Sequence, residues 1–149
     1  VFASQLILKE PLVFMLPKQH PFAKFEEIKL EQLKELELTI LSNKLSQPLS
    51  KTILQYIEFN KIQFKTIHET NHIVDCIQAV NSGVSCAILP SYMEALATDQ
   101  VIVKPLAKPL PSLDVFMAFN KNPPNQATEQ FLEEIRQVFA LDQFALYAS

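Results

Sequence analysis

Val80-Asn81-Ser82-Gly83-Val84-Ser85-Cys86-Ala87-Ile88-Leu89-Pro90 is the stretch on which the fold turns. A helical pattern runs up to Ser82, and an apolar run begins at Val84. Gly83 is the one glycine of the chain, and glycine just past a helix end supplies the left-handed residue that closes it. Residues 84–89 then read as a short buried strand stopped by Pro90. Helix, glycine, buried strand and proline make half of a parallel α/β unit.

The segments on either side repeat that alternation. Leu38-Thr39-Ile40-Leu41 is a strand candidate. Pro48 suits a first helical turn, and Leu49, Ile53, Leu54 and Ile57 fall on one face behind it. That helix fades at Asn60, which tolerates a left-handed C-terminal position. Residues 62–68 form the next strand candidate. A second helix turns Ile73, Val74, Ile77 and Val80 inward, with Asn71 as its N-cap. Ser91-Tyr92-Met93-Glu94 has the S-x-x-E form of a capping box, and residues 101–103 make a short strand. The order β-α-β-α-β-α-β over residues 38–103 is a compact parallel or mixed sheet unit.

Two further strands, 11–16 and 113–119, flank this unit, the second beyond a three-proline connector at 105–111. The last helix carries Phe131, Leu132, Ile135, Val138 and Phe139 on one face. It either packs only within its own lobe or leaves apolar surface for a partner chain. Crossing into and out of one unit implies two lobes, one discontinuous. Residues 18–109 form lobe two, complete; residues 1–17 and 110–149 form a partial lobe one.

Composition narrows the function. Of the 149 residues 48% are hydrophobic, which argues for a folded chain. A net charge of −3 is a poor match to phosphate backbones, so the chain is not expected to bind nucleic acid by itself. No apolar run is long enough to span a bilayer, and no membrane partner is expected. The start lacks a methionine and the features of a signal peptide, so the chain reads as a fragment of something longer. Cys76 and Cys86 read as two buried free thiols rather than a disulfide. A single glycine leaves no Gly-rich phosphate loop, and no cofactor is expected.

His68-Glu69-Thr70-Asn71-His72 has the form H-E-x-x-H. Zinc-protease chemistry needs both histidines on one helix, one turn apart, with the glutamate as general base. Here Phe64, Thr66 and Ile67 favour a strand, and Thr70 or Asn71 favours a helix start. A strand–helix junction through the motif separates the imidazoles, so no metal site is expected and a zinc hydrolase is only an alternative.

Four stretches carry a family resemblance. Glu10-Pro11-Leu12-Val13-Phe14-Met15-Leu16-Pro17-Lys18-Gln19-His20-Pro21-Phe22-Ala23 resembles an "EPLV…LP…HPLA" segment. Ile67-His68-Glu69 resembles an "HE" strand end, residues 80–90 resemble "VAAGLGVALLP", and Val103-Lys104-Pro105-Leu106 resembles the following "PL" element. In this order they are similar to the effector-binding domain of LysR-type transcriptional regulators, although Ser85 replaces the family's second glycine. The resemblance implies an α/β fold like the two-lobe type 2 periplasmic-binding proteins, with Rossmann-like lobes and a small effector held between them. It implies a cytoplasmic, non-enzymatic sensor, a homodimer or homotetramer in the full-length protein, and DNA contact only through an N-terminal domain missing here. A solute-binding lobe of a periplasmic transport protein is the alternative within the same fold.

In open α/β sheets ligands lie beyond the carboxyl ends of strands, near helix N-termini. Three such ends stand out: Ser42-Asn43-Lys44-Leu45-Ser46-Gln47 leading into Pro48-Leu49-Ser50, then Thr70, then Pro90. The first is richest in donors, and Ser46, Ser50 and the Lys44 cation suit a carboxylate or other small anion. The resemblance places Gln47 and Leu49 among the effector contacts. Gly83, at the other end of its helix, serves the backbone.

Overall fold

The computed structural model describes residues 2–44, 47–122, 125–141 and 147–148. The chain divides into two compact units, Pro11–Leu113 and a smaller one made of Val1–Glu10 with Asp114–Ser149. Residues 11–17 and 110–113, grouped with lobe one on sequence, thus lie in the larger unit.

In chain order the larger unit holds the latter half of β1 (Phe2–Pro17), β2 (Glu37–Leu41), α1 (Gln47–Phe59), β3 (Thr66–Thr70), α2 (Ile73–Asn81), β4 (Cys86–Pro90) and β5 (Val101–Lys104). The strand order is β3-β2-β4-β1-β5. β2 is parallel to both β3 and β4, because helices make the crossovers. β1 is antiparallel to β4 and β5.

Alternation along the central strands sends side chains into two cores. Phe14, Leu16, Leu38, Ile40, Cys86 and Ile88 pack with Leu49, Ile53, Tyr56 and Ile57 of α1. Met15, Ala87 and Leu89 pack on the other face with Cys76, Ile77 and Val80 of α2. Strands covered on both sides need apolar residues at successive positions, which is why residues 86–90 show no polar alternation. Both cysteines are free and buried. Burial pushes the Cys76 thiol up to about 11 and holds Cys86 still higher.

The three α-helices among the described residues end in the same hydrogen-bond pattern. After α2, Gly83 at φ 78° donates to Val80 O and Val84 to Ala79 O, a Schellman motif. After α1, Lys61 donates to Glu58 O and Ile62 to Ile57 O; after α3 (Gln126–Val138), Ala140 donates to Gln137 O and Leu141 to Arg136 O. With one glycine in the chain, Lys61 (φ 52°) and Ala140 (φ 51°) take the left-handed positions.

These caps move boundaries expected from sequence. Asn60 does not take the left-handed position; its Nδ2 donates to Tyr56 O at 2.9 Å. Ile62 closes the α1 cap and is buried, so the strand begins at Thr66 rather than Ile62. Val84 belongs to the α2 cap and is 64% exposed, so β4 begins at Cys86. His72, not Asn71, is the N-cap of α2. Ser91–Leu96 is a 3₁₀ turn with Pro90 at its N-cap and no side-chain capping bond.

In the smaller unit β1 pairs with β6 (Ser112–Asn120) and with β7 (Tyr147–Ala148). The Asn125 side chain caps α3 by accepting from Thr128 N at 2.9 Å. Arg136 donates to the buried Gln5 Oε1 at 3.3 Å and lies over the Phe119 ring. Of the expected inner face, Leu132 is buried and Ile135 half-buried, while Phe131, Val138 and Phe139 are exposed.

Candidate functional site at the carboxyl edge of the parallel strands

The register places the ends of β2 and β3 side by side. Leu41 pairs with Thr70, and Ser42 N donates to Thr70 O at 2.7 Å. β4 joins them through its parallel pairing with β2, and its last residue, the buried Pro90, sits opposite Leu12. Ser42, Thr70 and Pro90, picked out on sequence, therefore end three neighbouring parallel strands.

The polar groups at this edge differ in what they have left to offer. Ser42 is buried and its Oγ accepts from Lys44 N at 3.4 Å. Asn43 and Lys44 are exposed in the turn that follows. Ser46 lies outside the described residues; Gln47 is the first residue of α1, and its side chain is likewise outside them. Leu49 packs in the core against β2. Ser50 is fully buried and donates to Leu41 O at 2.7 Å. Thr70 donates to Asp75 Oδ2 at 2.7 Å and accepts from His72 N.

Two helix N-termini open at this edge, and their charge differs. The first turn of α1 holds no acidic residue, and Lys44 precedes it. The first turn of α2 holds Asp75. Asp75 was not anticipated from sequence, and nothing in its spacing from Thr70 announces their hydrogen bond. An anion is favoured at a helix start and repelled by a carboxylate beside it, so the α1 end suits an anion better.

The H-E-x-x-H segment takes another shape. His68 and Glu69 lie on β3, and His72 caps α2. His68 Nε2 sits 2.9 Å from Glu37 Oε2, and that bond, with the nearby Lys65, holds the Glu37 carboxyl below its usual range. The motif lacks the single helix that zinc chemistry requires, and no three metal-ligating side chains cluster among the described residues.

The opposite edge carries a cavity of about 200 Å³ lined by Glu35, Glu37, Lys65, Gly83 and Ser85. Gly83 thus stands at the amino end of β4, away from Pro90.

A sheet in this order, with helices on both faces and its polar strand ends gathered on one edge, is a known architecture. Residues 2–140 match the LysR substrate binding domain. The chain belongs to this family. It is 26% identical over 134 residues to the Hca operon transcriptional activator HcaR of Escherichia coli (strain K12), a match that covers 90% of this chain and 45% of HcaR. Among solved structures it resembles the regulatory domain of Synechocystis PCC6803 CcmR in complex with 2-PG, with a TM-score of 0.79 and 16% identity over 93% of this chain and 67% of that one. It also resembles the BenM effector-binding domain with its effector benzoate, with a TM-score of 0.75 and 17% identity over 93% of this chain and 64% of that one. At such identities these likenesses establish the fold, that of type 2 periplasmic-binding proteins. The chain spans less than half of HcaR. No helix among the described residues is long and apolar enough to cross a membrane.

Proposed function

We infer that this chain is the effector-sensing part of a transcriptional regulator, and that its effector is a small carboxylate held at the carboxyl edge of β2, β3 and β4. The observation that carries this reading is the start of α1: a helix of 13 residues with no acid in its first turn, opening beside Lys44 at the edge where the parallel strands end. The BenM domain holds benzoate, a carboxylate, on the same fold.

The hydroxyl hydrogens of Ser50 and Thr70 are already donated within the protein. Direct contact with the anion therefore falls to Asn43, Lys44, Ser42 and the first-turn backbone N–H groups of α1, among which Pro48 contributes none. Such a site binds without catalysis. The reading extends to the whole protein as a cytoplasmic homo-oligomer that reaches DNA through another domain, since this one carries a net charge of −3. Binding shifts a conformational equilibrium that the DNA-binding part reports.

Isothermal calorimetry with benzoate and its neutral analogue benzamide tests the site. Benzoate binding that Lys44→Ala weakens supports the reading. Equal binding of benzamide, or an unaltered affinity in Lys44→Ala, overturns the anion assignment.

A further inference from the structure

A second recess in the larger unit lies away from the strand ends. Tyr56, Phe59 and Asn60 at the end of α1 face Lys108, Pro109 and Pro111 of the proline-rich connector, and the space between them measures about 460 Å³. That is the size of a small-molecule pocket.

The groove is preformed. Tyr56 is buried, and its hydroxyl donates to Lys108 O at 2.7 Å, fixing the connector against the helix. Burial pushes the Tyr56 phenol up to about 12, so it remains a donor. The end of α1 is closed by Asn60 and by the Lys61–Ile62 cap. Pro109 and Pro111 have no N–H, so neither presents a backbone donor to the groove. Phe59 is 87% exposed, an apolar ring at the rim that no described residue covers.

Charge decides the occupant. Among the described residues Lys108 is the one formally charged residue lining the groove, and its ammonium makes no hydrogen bond or ion pair with a described residue. Glu58 is not in the groove but lines a separate recess that shares Gln55 and Phe59 with it. The cation attracts one carboxylate, the rings and prolines accept an apolar body, and Glu58 repels a second carboxylate.

We propose that this groove is a second ligand site, for an amphipathic monocarboxylate whose apolar part packs on Phe59, Tyr56 and the two prolines while its carboxylate meets Lys108. The site is independent of the carboxyl edge of the sheet.

Octanoate is the probe, with acetate and the dicarboxylate suberate as controls, followed by amide NMR shifts in the whole 149-residue chain. Octanoate produces saturable shifts at Phe59, Asn60 and Lys108; acetate and suberate bind more weakly. Lys108→Met weakens octanoate about threefold, the scale of an exposed ion pair. Phe59→Ser weakens it about tenfold through lost apolar contact. Both side chains are exposed, and far-UV circular dichroism confirms that the variants fold. Suberate binding as tightly as octanoate, shifts confined to residues 42–50, or unchanged affinity in both variants overturns the proposal. Lys44→Ala leaves the groove shifts in place, which separates this site from the other.

Discussion

The hydroxyl of the fully buried Ser50 donates to the carbonyl of Leu41 at 2.7 Å, joining the first turn of α1 to the last residue of β2. The turn that carries Asn43 and Lys44 lies between them. Ser50→Ala removes the donor and leaves the buried carbonyl short of a partner, which costs about 1–3 kcal/mol. Urea unfolding is expected to show that loss, and benzoate affinity is expected to fall with it. An unchanged midpoint would mean that Leu41 O finds another donor.

The three helix caps predict opposite effects for glycine. Gly83→Ala meets no atom within 4 Å, so only the left-handed backbone opposes it, at about 1 kcal/mol. Lys61→Gly removes that strain but adds entropy to the unfolded chain, leaving a net gain of about 0.5–1 kcal/mol. Thermal midpoints of the two variants should move in opposite directions. A destabilised Lys61→Gly would contradict the account.

Thr39 and Ser85 share a 2.7 Å hydrogen bond, both buried, 46 residues apart. It joins β2 to the residue just before β4. Thr39→Val strands the Ser85 hydroxyl at about 1–3 kcal/mol. Thr39→Val with Ser85→Ala removes both groups and should recover much of that loss. A double-mutant cycle measures the coupling; strictly additive single losses would show that the bond contributes nothing.

The alternation of helix and strand was legible because buried parallel strands demand apolar runs and surface helices a 3.6-residue stripe. The helix ends were less so. A lysine in the left-handed position at Lys61 has no sequence signature, and it moved the start of β3 by four residues. Side-chain bonds, whether local as from Thr70 to Asp75 or distant as between Thr39 and Ser85, leave no periodicity at all. The three strand ends could be named in advance because parallel topology alone gathers them. Which hydroxyls there are already committed could not, since Ser50 and Ser42 look alike in a sequence.

His20 is expected to make the protein sensitive to mild acid. Its Nδ1 accepts from Phe22 N at 3.1 Å, capping the turn Pro21–Lys24, and its ring meets that of Phe22 at 4.8 Å. Accepting requires an unprotonated Nδ1. Burial lowers the His20 pKa below its ordinary value, and the Glu35 charge opposes that only in part. A histidine whose folded pKa is depressed holds fewer protons folded than unfolded, so stability rises with pH through that window. The contribution is complete above the unfolded pKa of about 6.5 and shrinks as pH falls below it. His20→Asn keeps a side-chain acceptor at the cap but cannot titrate. Urea midpoints at pH 7.5 and 5.5 should therefore fall further in the natural protein than in His20→Asn. Equal falls in both proteins would place the acid sensitivity elsewhere.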